Sequence, residues 1–350
     1  MRIRLRPLLA LATATAMVTT LTAPAQAAPA PTPPDAATQW WHSVDPRPTN
    51  EKIARELDTI ADRSRGRVAV RTIGETNEGR PVWAARVGHG PVRIQYVTQQ
   101  HGDEPLGTPA AIEFLRTVGL GNTLWHKWLR SRVTVDLVVR ANPDGHVRDW
   151  RYNYDPTADP EYGEQGKGYD INRYHNPDMA PDDNPATEAG HIQREYAAFR
   201  PHIAMDYHMQ GQYVGDDGRE ITASLLWPTH PGVAPAKVDA AKQVAVVAQR
   251  TIDHLVGGNV SQYPGGDYEG IARNAYGLRG SASVLLELSA MGPDFEQKQI
   301  RSAYAAMLAV AQTAADGSVH RIDPARADAI PPRGDAIRAA VPDAASDSAD

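Results

Sequence analysis

The sequence predicts an α/β fold: a single domain with a mixed, mostly parallel twisted sheet sandwiched between helices. Three observations carry this. Apolar, β-branched runs alternate with stretches of helical periodicity along most of the chain, the order that builds a sheet flanked by helices. Two of those runs, 133–139 and 284–288, hold one charge each, Asp136 and Glu287, as strands covered on both faces do. Polar residues able to hold a ligand stand where apolar runs end, and open α/β sheets bind at that carboxyl edge.

In chain order, Asn50 caps a helix whose Ile53, Leu57 and Ile60 share one face. Strands follow over 67–73 and 82–87, joined by the turn-like Glu75-Thr76-Asn77-Glu78-Gly79-Arg80. A third strand, 93–98, runs into Gln99-Gln100-His101-Gly102-Asp103-Glu104-Pro105, and a helix over 108–118 turns Ile112 and Leu115 inward. The strand 133–139 ends at the turn Asn142-Pro143-Asp144-Gly145. Residues 146–186 form a long polar loop, and loops of such length are commonly functional or disordered. Next come a helix over 188–199, a strand over 203–207 followed by His208, and a short strand over 224–227. A long helix over 236–255, the strand 284–288 and a helix over 295–315 complete the domain.

Outside the domain, placed at 50–317, three segments differ in composition. Residues 1–27 read as a secretory signal, with Arg2, Arg4 and Arg6, an apolar run over 8–23, and Ala25-Gln26-Ala27 before the cut. That run is shorter than the ~20 residues that span a bilayer, so the expectation is export to the extracellular medium with no retained anchor. Residues 28–49, rich in Ala, Pro and Thr, read as a linker or pro-segment. Residues 318–350 read as a disordered tail. A net charge of −6 without a basic block argues against nucleic acid as a partner.

The chain has no cysteine. Thiol catalysis and cysteine-bound zinc are therefore excluded, and a metal can be held only by His, Asp or Glu. His101 and Glu104, three apart on a loop, can aim an imidazole nitrogen and a carboxylate at one point; alone, the step is equally a turn held by Gly102 and Pro105. His208 would complete a His/Glu/His set. Its rivals are His202, which precedes its strand, and His230, in a proline-flanked turn. Glu287 is costly to bury in its apolar run unless paired or protonated. Beside a metal-activated water it suits a general base and then acid; on an edge strand it would face solvent. Asp170 could orient a ligand imidazole, Asn172 and Arg173 could grip a carboxylate, and Arg151 could stabilise an oxyanion. Singly, each reads first as a solvated loop residue.

Six stretches in order carry a resemblance: Gly74-Glu75-Thr76-Asn77-Glu78-Gly79-Arg80-Pro81, His101-Gly102-Asp103-Glu104, Asn142-Pro143-Asp144-Gly145, Asp170-Ile171-Asn172-Arg173, His208, and Leu286-Glu287-Leu288. Over about 73–292 the chain resembles the zinc metallocarboxypeptidases of the carboxypeptidase A type. The resemblance implies a mixed eight-stranded sheet between helices and a Zn²⁺ bound by His101, Glu104 and His208. It implies that Asp170 orients His101, that Asn172 and Arg173 hold the substrate's terminal carboxylate, and that Arg151 polarises the scissile carbonyl. Glu287 would activate the water. Tyr263 would be the mobile tyrosine over the substrate terminus, with Tyr268 and Tyr276 as competing positions. The implied substrate is a peptide or protein with a free C-terminal carboxylate, cut by a secreted monomer. Within the same superfamily the alternatives are a cell-wall (γ-glutamyl) peptidase and an N-acyl amino acid deacylase. From another class, the alternative is an inactive binding protein.

Overall fold

The computed structural model of the chain describes residue 31 and residues 44–338. The segment read as a secretory signal lies outside the described residues, as do most of the linker and residues 339–350. The strands are β1 (Val68–Glu75), β2 (Pro81–Gly88), β3 (Val92–Thr98), β4 (Val133–Val139), β5 (Ile203–Gln210), β6 (Gln212–Tyr213), β7 (Ala223–Leu226), β8 (Val260–Gln262), β9 (Ala282–Ser289) and β10 (Ala336–Arg338). The helices are α1 (Asn50–Ser64), α2 (Gly107–Leu120), α3 (Leu124–Arg132), α4 (Pro143–Arg148), α5 (Thr187–Phe199), α6 (Pro235–Leu255), α7 (Ala272–Leu278) and α8 (Glu296–Ala315).

Eight strands form one mixed sheet in the order β1-β2-β4-β3-β5-β9-β7-β8. Its centre, β4-β3-β5-β9, is parallel throughout, which agrees with the predicted fold class. The pleat then sorts side chains by parity. Ile94 and Tyr96 of β3, Met205 and Tyr207 of β5, and Val284, Leu286 and Leu288 of β9 share one core with α1, α2, α6 and α8. Val97 and Ala204 face the opposite side, in a second core with α5, α7 and Ile171 of the long loop. Asp206, His208 and Glu287 have the parity of that second face. The charge in the first run is also accounted for: Asp136 accepts from Arg71 of β1 at 2.7 Å and from Arg86, its cross-strand partner on β2, at 2.9 Å.

Several boundaries differ from the expectation, each for a local reason. Thr49, not Asn50, caps α1, its hydroxyl accepting from the Lys52 amide; Asn50 instead receives the buried Arg140 Nη1 at 2.7 Å. The turn at Asn142 opens α4, with the Asn142 side chain accepting from Gly145 N at 2.8 Å. Strand β5 runs on past 207, so His208 lies within the strand rather than just beyond its end, while Glu287 lies inside β9 as expected. The linker's last residues pack on the domain: Arg47 pairs with Glu296 at 2.9 Å, and Arg140 Nη2 donates to Pro48 O at 2.7 Å.

The predicted disordered tail is the largest correction. Over 318–338 it is ordered, because Val319, Ala327 and Ile330 are buried in the main core. Backbone bonds fasten it to the strand β8, with Gln262 N to Pro331 O at 2.7 Å and Arg333 N to Gln262 O at 3.0 Å. Few apolar residues sufficed, because each fills a place beside an already folded element.

The long loop is tied down by Asn153. Its side-chain oxygen accepts from Tyr169 N at 2.7 Å, and its amide donates to Glu188 Oε2 at 2.6 Å. Glu188 is buried at the start of α5, and burial raises its pKa to about 7 from an ordinary carboxyl value. A raised carboxyl pKa stabilises the fold below the unfolded value and loses that contribution as pH rises through about 7. Glu188→Gln keeps the acceptor for Asn153 and removes the charge. Thermal unfolding should therefore show the variant several degrees more stable than the parent at pH 8 and no better at pH 4.5, the difference being roughly 1–3 kcal/mol.

Candidate metal centre

Three side chains from two places in the chain meet at one point on the second face of the sheet. Past β3 the backbone turns outward through Gln99, which is left-handed at φ 57°, a conformation rare for a side chain of this kind. It is held there by bonds from Gln99 Nε2 to Gly102 O at 2.7 Å and from Asn142 N to Gln99 O at 3.0 Å. Gly102 is required at the next step, since a Cβ there would lie 2.1 Å from the backbone of Gly145. The loop then presents His101 and Glu104 beside His208 of β5.

His101 Nδ1 lies 2.8 Å from Glu104 Oε1 and 3.0 Å from His208 Nδ1, and His208 Nδ1 lies 2.9 Å from Glu104 Oε2. All three residues are buried. In a tetrahedral zinc site, ligand atoms at 2.0–2.1 Å from the ion stand about 3.3 Å apart. The three groups would need to part by only a few tenths of an ångström to accept such an ion, and the set of two imidazoles and one carboxylate suits zinc. Burial alone would raise the Glu104 pKa, but the two imidazoles outweigh it and hold the carboxyl well below its usual range.

The remaining ring nitrogens meet carboxylates. His101 Nε2 lies 3.0 Å from Asp170 Oδ1, and His208 Nε2 lies 2.8 Å from Asp206 Oδ2. Each aspartate thus holds its ring by the Nε2 N–H and aims Nδ1, the nitrogen a metal would take, at the common point. Asn172 Nδ2 comes within 3.2 Å of His208 Nε2, but with the proton of Nε2 directed at Asp206 the two are both donors. That amide remains available to an arriving acceptor. Its oxygen is fixed by Ala272 N at 2.9 Å.

Arg151 spans the approach. Its Nε and Nη2 donate to Asp170 Oδ2 at 3.1 and 2.9 Å, and its Nη1 stands 3.6 Å from Glu104 Oε1. Arg173 Nη1 lies 4.0 Å from the same Asp170 oxygen. Burial opposes ionisation of Asp170, yet Arg151, Arg173 and His101 keep its pKa well below normal.

Glu287 is the register partner of His208 on the neighbouring parallel strand, about 4.8 Å away along the sheet. Strand β9 lies between β5 and β7, which removes the edge-strand alternative. Glu287 Oε2 is buried and has no hydrogen-bond partner among the described residues. Burial, reinforced by Glu104 and opposed by the two imidazoles, lifts its pKa to about 7.

The three tyrosines separate. Tyr276 is buried and contacts His175, and Tyr268 packs on Tyr162 at a ring separation of 5.0 Å. Tyr263 is half-buried under the Arg333 guanidinium, 4.8 Å away. The rival histidines lie elsewhere: His202 accepts from Arg93 N, and His230 from Gly232 N within its own turn. Sequence reasoning missed Asp206. The signal was present, since a lone aspartate two residues before His208 in an apolar strand shares its face, the argument that singled out Glu287.

The family model described as zinc carboxypeptidase matches residues 53–214. Among solved structures, a metallo-carboxypeptidase from Burkholderia cenocepacia is similar at 20% identity and TM-score 0.58, over 77% of this chain and 69% of that one. Carboxypeptidase A from Helicoverpa armigera is similar at 19% identity and TM-score 0.58, over 77% and 74%. Thrombin activatable fibrinolysis inhibitor is similar at 14% identity and TM-score 0.60, over 82% and 81%. None of the curated proteins compared by sequence matches the chain.

Proposed function

We propose that this chain, which matches the zinc carboxypeptidase family model over residues 53–214 and shares the fold of solved carboxypeptidases, is a secreted zinc metallopeptidase that removes C-terminal residues from peptides. The observation that supports it most directly is the convergence of His101 Nδ1, Glu104 and His208 Nδ1 beside Glu287. The family match ends before Glu287, so its place next to His208 comes from the fold.

His101, Glu104 and His208 would hold a zinc ion, which when bound would supply Lewis acidity toward water and the scissile carbonyl. Glu287, next to this point and with its pKa near neutrality, takes a proton from the attacking water and returns it to the leaving amine. Arg151, fixed by Asp170, offers N–H groups to the developing oxyanion. Asn172 and Arg173 receive the free terminal carboxylate, Arg173 through its forked guanidinium. Tyr263 closes over that end. Secretion rests on the signal-like residues 1–27, which lie outside the described residues. Among the described residues no helix is long and apolar enough to cross a membrane.

The test is product analysis on paired peptides that end in a free acid or an amide. The parent enzyme should release the last residue from the acid only, and a chelator should stop it. Arg173→Ala should raise KM for the acid about tenfold or more, the scale of a lost charge-assisted contact, and so narrow the preference. Equal cleavage of acid and amide by the parent would defeat the exopeptidase reading. Preference for peptidoglycan stem peptides over ordinary C-terminal substrates would favour the cell-wall alternative.

A further inference from the structure

Behind His208 lies a line of buried groups that the roles above leave unused. Asp206 Oδ2, which faces His208 Nε2 at 2.8 Å, also receives Gln100 Nε2 at 2.6 Å. Gln100 Oε1 lies 2.6 Å from His175 Nε2, and His175 Nδ1 lies 2.9 Å from the Tyr276 hydroxyl on α7. All five residues are buried, so water cannot stand in for a missing partner.

The polarity of this line can be read from one end. Gln100 donates its amide nitrogen to Asp206 Oδ2, so its oxygen is turned toward His175. His175 must then carry its proton on Nε2, which leaves Nδ1 bare. Burial keeps this ring neutral, with a pKa lowered to about 3, so it has a single proton to place. The bare nitrogen needs a donor, and Tyr276 provides it. At the other end, Asp206 claims the Nε2 proton of His208 and leaves Nδ1 for the metal.

We infer that Tyr276, His175, Gln100 and Asp206 form a one-way hydrogen-bond chain that positions His208 and sets the strength of the metal site from α7. Tyr276, His175 and Gln100 are positioning residues, acting through Asp206. Without the Tyr276 hydroxyl, the bare Nδ1 of the buried His175 ring loses its donor, and the ring is no longer held from that side. Its Nε2–H bond to the Gln100 oxygen then slackens, the amide is less firmly held against Asp206, and Asp206 holds His208 less firmly in turn. The same short helix fixes Asn172 through Ala272 N, so α7 supports both the metal ligand and the carboxylate clamp.

The inference rests on His208 being a ligand, and the experiment separates the two claims. Zinc affinity is measured by chelator competition for the full-length chain and for Tyr276→Phe, Gln100→Met and His208→Ala, alongside the visible spectrum of the cobalt-substituted proteins. Tyr276→Phe and Gln100→Met should each weaken zinc 10- to 100-fold, the scale seen when partners behind a ligand are removed. They should also change the cobalt spectrum, whatever the lost buried hydrogen bonds take from the unfolding temperature of the metal-free proteins. A merely structural role would shift unfolding and leave the spectrum alone. If His208→Ala loses zinc but the other two bind it within twofold of the parent with unchanged spectra, the chain has no such role. Zinc retained by His208→Ala would overturn the ligand assignment and the inference together. Should Tyr276→Phe fail to fold, Gln100→Met, of nearly the same shape, carries the same two outcomes.

Discussion

Glu287→Gln is expected to bind zinc as the parent does and to lose roughly 10² or more in kcat, the size of general acid–base assistance. The substitution conserves volume and replaces one buried oxygen with an amide. None of His101, Glu104 and His208 depends on Glu287 for a hydrogen bond. What disappears is a carboxyl beside His208 whose buried Oε2 has no hydrogen-bond partner among the described residues. The pH profile should change with it. In the parent, burial, with Glu104 acting in the same direction, raises the Glu287 pKa to about 7. The base works only when ionised, so kcat/KM should rise with pH along an acid limb. A neighbouring dication favours the carboxylate, which places that limb at or below about pH 7. Glu287→Gln should lack it. Steady-state kinetics with zinc analysis is the check, and near-normal turnover with full zinc would remove Glu287 from the mechanism.

The second large effect concerns the metal. His208→Ala should purify without stoichiometric zinc, because two of three ligands remain and Asp206 is left facing a void. The parent should be stabilised by about 4 kcal/mol when free zinc exceeds its Kd a thousandfold. The variant should show no zinc-dependent rise in unfolding temperature. Elemental analysis and thermal unfolding with and without zinc decide it, and full zinc content in the variant would refute the ligand assignment.

Much of this architecture was legible because local rules and tertiary structure agree. The strand at 133–139 was bounded correctly, since a β-branched run covered on both faces leaves its boundaries in the composition. The faces of α1 and α2 were equally plain: Ile53, Leu57 and Ile60, and Ile112 and Leu115, are all buried. Helix α7 and strand β8 went unseen because each is too short to show a period. The tail at 318–338 was misread because composition reports the density of apolar residues, while its order comes from three of them meeting α6 and β8.

The sequence by itself determined the kinds of ligand available, the alternation that makes the sheet, and the residues His101, Glu104, His208 and Glu287 as chemistry in search of a place. Periodicity and composition are local properties, and they suffice for that. Only the tertiary structure decided that His208 and Glu287 are register partners, that Asp206 stands behind His208, and that Tyr268 and Tyr276 are taken up by Tyr162 and His175. Those facts depend on which strands lie side by side and in what register, an outcome of packing between segments remote in the chain.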